Sequence, residues 1–431
     1  MLRSSTLPPE GRLQPRDPSP QDRSTWLEPL LLRERVHSAC RPIRITFTSS
    51  IADPSLTGDR TGSLTVSIED NTAQSDAASF DNTRSEAFAE RMMNTINEAA
   101  VTLMTSVGHR TGLFDVMGPM KPATSNAIAE AASLDERYVR EWLGAMVTAG
   151  IVSYNPFKKL YHLPAEHAAW LTRVASPNNL AVSAQWVPML SRSEDAIIDR
   201  FRRGGGTRYC EYAGFHGLMA EESAQSVVAP LFEHILPLAS ELPARLEKGI
   251  DVLDAGCGSG RALVAMAQHF PRSRFVGYDL NDEALAVGRA AATAAGLSNI
   301  RFDVRDMTAY DEIRRFDLIT TFDAVHDQKD PAGMLAGFAR ALKPGGVYLM
   351  QDIDGSSHLE LNGDRPLGSF LYTVSCMHCM AVSLGQGGAG LGAMWGVELA
   401  ERMLREAGFA DIVVHRLPHD PMNAYFIARV S

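Results

Sequence analysis

The sequence predicts an α/β protein: a mostly parallel sheet with helices on both faces, preceded by a winged-helix domain and a helical linker region. Three observations predict it. From about residue 250, apolar strand patterns alternate with helical ones, as in crossover-linked parallel strands. Residues 252–260, VLDAGCGSG, end the first of those strands in a glycine-rich turn. Residues 85–175 read helix, helix, hairpin, the order of a winged helix.

Residues 1–84 are rich in Ser, Thr, Pro, Asp and Arg and hold no sustained period, so a mostly disordered extension is expected. Its acids, and the lack of an apolar run, fit neither a transit nor a signal peptide. The winged-helix domain spans 85–175. Its first helix places Phe88, Met92, Ile96, Ala99 and Leu103 near one face, and these apolar faces suggest a homodimer. ATSNAIAEAASL offers Thr124 or Ser125 as an N-cap, and DERYVREWLGAMVTAG stops at Gly150. GIVSYNPFKKLYHL then reads as two short strands joined at Asn155-Pro156.

A winged helix raises the question of DNA. The second helix sets Arg137 and Arg140 against Asp135, Glu136 and Glu141, a balanced, solvated face rather than a phosphate-seeking one. The net charge of −10 in 431 residues also argues against a nucleic-acid partner. No apolar run is long enough to span a bilayer. The five scattered cysteines, Cys40, Cys210, Cys257, Cys376 and Cys379, suit reduced thiols in the cytoplasm. Cys376 and Cys379 form a C-x-x-C without a second ligand pair, so packed thiols are expected rather than zinc.

Residues 176–248 are a helical connector and pocket lid. Three glycines, Gly204 to Gly206, precede Tyr209, Tyr212, Phe215 and His216. These aromatics line a pocket mouth or open a core helix over 217–236. From 249 to 431 the strands are IDVLDA, RFVGYDL, NIRFDVRD, FDLITTFDAV, VYLMQDI, ADIVVHRL and NAYFIARV. A short loop joins the last two, so they pair antiparallel.

Ligands of such sheets bind beyond the carboxyl ends of the strands, where VLDAGCGSG lies. The dinucleotide fingerprint is G-x-G-x-x-G; here Gly256, Gly258 and Gly260 give G-x-G-x-G and position 261 is arginine. Asp254 adds negative charge where a pyrophosphate would sit. Asp279 ends the second strand, where a carboxylate can accept both hydroxyls of a ribose. The set suits a nucleoside without phosphates and with a positive charge.

These residues, with VGYDLN, Asp306 after the third strand, the end of the fourth strand and LKPGG, resemble the class I S-adenosylmethionine-dependent methyltransferases over about residues 250–430. The chain from 85 resembles the mycobacterial-type group of these enzymes with an N-terminal winged helix. The resemblance implies a seven-stranded Rossmann-like methyltransferase sheet whose last strand is antiparallel, with S-adenosyl-L-methionine as cofactor. It implies that Gly256 and Gly258 admit the cofactor, with Asp254 near its amino group or supporting the loop. Asp279 would bind the ribose, Leu280 and Met307 would flank the adenine, Asp306 would accept from the adenine amino group, and Phe322 would lie near the methionine part.

Methyl transfer to a weakly acidic hydroxyl needs a proton acceptor. His326, just past the fourth strand, His216 and His378 are the candidates, with His326 favoured, since histidine titrates near neutrality and the fourth strand of the resembled fold ends over the reactive methyl. Tyr209, Tyr212, His216, His378 and Trp395 are candidate pocket residues for a small-molecule methyl acceptor. The glycine-dense 385–396 stretch reads as a lid. Asp352 and Asp354 alone are too few for a metal, so none is expected. Two other functions fit the pattern: a cofactor-binding regulator whose winged helix binds DNA, without turnover, and a nicotinamide oxidoreductase, which Arg261 disfavours.

Overall fold

The computed structural model describes residues 80–430; the expected disordered extension, as far as Ser79, lies outside them. The first helix, α1 (Asn82–Thr111), begins slightly ahead of the expected boundary because Asp81 caps it, its side chain accepting from Arg84 N. After α2 (Leu113–Met117) come α3 (Ser125–Ala132), capped by Thr124, and α4 (Glu136–Thr148), capped by Asp135. The wing is the antiparallel pair β1 (Ser153–Asn155) and β2 (Leu160–His162). Phe114, Leu143 and Met146 form its core. Trp142 packs edge-on to Phe114 and donates Nε1–H to Met104 O at 2.8 Å, so the apolar side of α4 faces inward. Its arginines pair one turn away, Arg137 with Glu141 and Arg140 with Glu136.

The apolar residues expected on one face of α1 do not reach this core. Phe88, Met92, Ile96 and Leu103 are exposed. The helix expected over 217–236 is a helix Phe215–Ser223 continued by two π-helical turns, Ala224–Val228 and Leu231–Ile235. Pro230 falls between them, and a proline without N–H breaks the regular ladder.

The main sheet has seven strands: β3 (Asp251–Ala255), β4 (Arg274–Asp279), β5 (Ile300–Val304), β6 (Phe316–Phe322), β7 (Leu342–Ile353), β8 (Phe409–Arg416) and β9 (Asn423–Val430). Their order is β5-β4-β3-β6-β7-β9-β8, parallel except for β9, which runs against both neighbours. The α/β class, the parallel body and the antiparallel last strand expected from sequence are all present. The strand expected as VYLMQDI begins earlier, at Leu342, and holds Lys343 and Pro344 in an irregularity where pairing jumps from Phe316/Leu342 to Leu318/Val347. A bulge accommodates a proline that a regular ladder would reject.

Helices cover both faces. Leu231, Leu263 and Phe275 lie in one buried layer; Leu335, Phe338, Tyr348 and Phe426 lie in the other. Each such side chain contributes roughly 1.5–3 kcal/mol on burial. These layers fix the carboxyl ends of β3, β4 and β6 beside one another, and the segment from Tyr209 to Ser223 lies against them.

Candidate active site

A cavity of about 310 Å³ opens at those strand ends. Among its lining residues are Asp254, Gly256, Gly258, Asp279, Leu280, Met307 and Phe322, with Tyr209 and His216 on the wall contributed by the connector.

The glycine turn is shaped by two demands. Gly256 has φ +73°, and a Cβ there would lie 2.6 Å from that of Ala324, so the turn from β3 packs directly on the one that follows β6. Gly258 has φ +53° with nothing within 4 Å of an added Cβ; its side faces open space rather than protein. Both take the left-handed backbone that favours glycine.

Asp279 holds that turn. One carboxylate oxygen accepts from Gly258 N and the other from Asn281 N, both at 2.8 Å. Asp254 is buried, and one oxygen accepts from Thr320 Oγ1 at 2.7 Å. Burial pushes its carboxyl up to about 7, against the Thr320 bond and with help from the charge of Asp279. Asp323 and Asp327 also line the cavity, and Arg305, the cation nearest the β5 end, is tied to Glu312 and Asp311 at 2.8 Å. A cavity so rich in carboxylates suits a cationic ligand better than a pyrophosphate.

Not every sequence candidate reaches the cavity. Asp306 caps the turn Met307–Ala309, accepting from Thr308 N at 2.9 Å, and is not among the lining residues. Tyr212 is buried behind the wall, donating to Met377 O at 2.6 Å. His378 is buried against Phe215, ring centroids 4.1 Å apart, with Tyr212, Tyr209 and Trp186 around it. Both of its ring nitrogens lack a hydrogen-bond partner. Burial pushes its imidazole down to about 3, so the ring is neutral. Trp395 donates Nε1–H to Asp352 Oδ1 at 3.0 Å.

His326 is buried, with Nδ1 2.7 Å from that same Asp352 oxygen. Burial alone would push its imidazole down; the Asp352 carboxylate outweighs this and holds it well above its ordinary value. Sequence reasoning noted Asp352 only as a weak metal candidate and missed it as the partner of His326; the signal, a carboxylate on a neighbouring strand end, exists only once β6 and β7 are paired. Asp323, His326 and Asp352 each bring one donor atom within 4.8 Å of the others. The three form one cluster of titratable groups, in which Nδ1 of His326 is engaged with Asp352. Asp354, the other acid after β7, is held by Arg416 through two bonds of 2.9 Å and by Arg365. The 385–396 stretch, read from sequence as a lid, is held by Ala389 N to Lys329 O and Gly390 N to Ser383 Oγ, with Ala393, Met394 and Trp395 buried; of it, Gln386 lines the cavity.

Residues 99–173 match the family described as the Rv2258c-like winged HTH domain, and residues 246–408 match a methyltransferase domain family. The chain joins an Rv2258c-like winged helix to a class I S-adenosylmethionine methyltransferase domain. The chain is 30% identical over 108 residues to the ubiquinone biosynthesis O-methyltransferase of Leptothrix cholodnii, a match covering 25% of this chain and 45% of that protein. A fatty-acid O-methyltransferase of Mycolicibacterium smegmatis is 30% identical over 105 residues, covering 24% and 38%. The chain thus spans less than half the length of these curated relatives.

Solved structures align over more of the chain. Mitomycin 7-O-methyltransferase gives a TM-score of 0.59 at 21% identity, covering 81% of this chain and 100% of that one. Human N-acetylserotonin methyltransferase in complex with SAM gives 0.58 at 18%, covering 82% and 99%. At such identities the likeness is one of fold, and it reaches across the winged helix as well as the methyltransferase domain.

Proposed function

We propose that this chain transfers the methyl group of S-adenosylmethionine to an oxygen of a small-molecule acceptor. The observation that carries this reading is the carboxylate-lined cavity at the glycine turn, with Asp279 bonded to the turn itself. A sulfonium and an ammonium are the cations such a cavity would take. In this reading Asp254 faces the ammonium, Asp279 takes the ribose, and Leu280, Met307 and Phe322 supply apolar contact; Asp306 would serve the adenine from the rim. The named O-methyltransferase relatives support oxygen as the acceptor atom.

Transfer is an in-line displacement, so the protein must hold the acceptor about 3 Å from the methyl carbon. Tyr209, His216 and the aromatic group around His378, including Tyr212, are proposed to shape the acceptor's side of the cavity. The His326–Asp352 pair, fixed by Trp395, is proposed to store the acceptor's proton.

Thermal unfolding with S-adenosylmethionine, S-adenosylhomocysteine and NAD, on wild type and Asp279→Ala, tests the reading. A ligand at 100 times its dissociation constant stabilises the fold by about 2.7 kcal/mol. Both sulfur nucleosides should raise the midpoint and the substitution should abolish the response; a rise with NAD alone would sink the assignment.

The exposed apolar face of α1 supports a homodimer in which a second copy covers it. Ile96→Glu should then halve the mass seen by light scattering, and an unchanged mass refutes the pairing. Cys210, Cys257, Cys376 and Cys379 are free thiols, which suits a reducing cytoplasm. Among the described residues no helix is long and apolar enough to cross a membrane.

A further inference from the structure

Sequence and fold together direct attention to His326 as the proton acceptor, yet His326 is not among the residues that line the cavity, whereas Asp323 is. Building on the methyltransferase reading, we propose that Asp323 is the group that takes the acceptor's proton directly, beside the sulfonium, with the His326–Asp352 pair as its reserve behind the wall.

Four features of Asp323 carry this. First, it stands at the carboxyl end of β6 in a left-handed backbone, φ +54°. That region is uncommon for a residue with a side chain, and such strain persists where the surroundings enforce it, commonly at functional sites. Here β7 helps enforce it, since Asp323 N donates to Gln351 O at 3.0 Å.

Second, the residue after it, Ala324, is the one on which Gly256 packs. Asp323 therefore adjoins the glycine turn that the cofactor reading requires. Third, its Oδ1 is buried and has no hydrogen-bond partner. An unpaired buried carboxylate oxygen is costly; a ligand or a proton would satisfy it.

Fourth, the groups around it favour taking up a proton. His326 and Asp327 face it from its own segment, Asp352 from β7 and Asp420 from the loop before β9, and Cys379 adjoins the cluster from the helical stretch behind. Burial pushes its carboxyl up to about 7, His326 opposing and Asp352, Asp420 and Asp327 reinforcing.

The step balances. The acceptor oxygen forms a bond to the methyl carbon as the carbon–sulfur bond breaks, and its electron pair stays on sulfur. The acceptor's O–H proton passes to an Asp323 oxygen. Before transfer, the positive charge beside Asp323 holds it ionised and able to accept. After transfer that charge is gone, and the buried carboxyl retains the proton until His326 or solvent takes it. The carboxylate is thus a base only while the methyl group is still to be transferred.

The donor and its product differ by that charge, so a binding measurement tests the idea without any acceptor. Calorimetric titration of the full chain with S-adenosylmethionine and with S-adenosylhomocysteine, from mildly acidic to mildly alkaline pH, gives the ratio of the two affinities. The ammonium is common to both ligands and cancels. In wild type the ratio should rise as pH climbs toward about 7 and then level off, by roughly tenfold for each unit the cation lowers the carboxyl's pKa. In Asp323→Asn the ratio should be flat while S-adenosylhomocysteine still binds, which also shows that the variant is folded. In Asp254→Asn the rise should persist. A flat ratio in wild type, an undiminished rise in Asp323→Asn, or a rise lost only in Asp254→Asn overturns the role of Asp323 while leaving the methyltransferase reading intact. Binding of neither nucleoside overturns both.

Discussion

The two sides of the cavity are built differently. On the donor side the polar groups are committed within the protein: both oxygens of Asp279 accept backbone N–H groups, and Asp254 accepts from Thr320. On the acceptor side they are not. Asp323 on the wall, and Gln351, Asp352 and His378 in the layer behind it, keep buried polar atoms without a partner. A side that is complete without its ligand is preorganised, and the remaining lone pairs need only meet a nucleoside. A side with open valences carries a cost in the empty protein, which the bound acceptor is expected to relieve.

The largest effect should come from breaking the complete side. Asp279→Ala removes the acceptor of two backbone N–H groups and leaves Gly258 N unpaired at a turn held in the left-handed region. Hydrogen bonds to charged groups are worth about 1.5–3 kcal/mol each. The dissociation constant for S-adenosylhomocysteine, measured by calorimetry, should rise by about 100-fold or more. A change under about threefold would mean the turn holds itself and that Asp279 does not contact the ligand.

Breaking the proton store should spare donor binding and slow transfer. With an acceptor found by screening, Asp323→Asn should lower kcat by about 100-fold or more; His326→Gln should lower it by less, leaving the donor's dissociation constant unchanged. Asp352→Asn sharpens the contrast through pH. Because Asp352 raises the imidazole above its ordinary value, the neutral ring exists only at pH above that raised value, and a rate that needs it rises with pH through it. Removing the carboxylate charge lets burial win, so the rising limb should move to lower pH. A limb that stays in place in Asp352→Asn assigns it to a group that Asp352 does not influence, which excludes His326 and Asp323 alike.

The same asymmetry explains what the sequence disclosed. The donor side is local: Asp254, Gly256 and Gly258 lie within one turn, and Asp279 ends the next strand, so a spacing pattern exposes them. The sheet was legible for the same reason, since period and punctuation are local properties. The acceptor side joins β6, the end of β7, the 209–216 segment and the helical stretch around His378, which no spacing links. Asp323 stood in plain view in FDAVHD, but only the left-handed backbone and the contact of Ala324 with Gly256 bring it to the cavity wall. His326 was singled out by type and place, while its partner Asp352 needed strand pairing to be seen. Trp395 was expected at the acceptor and instead braces that pair, because its indole N–H finds its acceptor in Asp352. The apolar run on α1 was legible as a helix, but which surface covers it was not.

The smallest effect should be the most discriminating. His378 is a neutral ring boxed by Phe215, Tyr212, Tyr209 and Trp186, with both nitrogens unpaired. If it is only packing, those nitrogens are a burden, and His378→Leu, similar in volume and without polar atoms, should raise stability with no kinetic consequence. Replacing unsatisfied polar groups by apolar ones of similar shape is neutral or stabilising, by about 1 kcal/mol here. If an acceptor reaches the box, the same substitution should raise the acceptor's KM severalfold while kcat and donor affinity hold. The two outcomes separate cleanly because the thermal midpoint should hold or rise in both, while KM moves in only one. A fall in the midpoint would show that the imidazole is satisfied in solution, and His378 would then belong with the committed groups of the donor side.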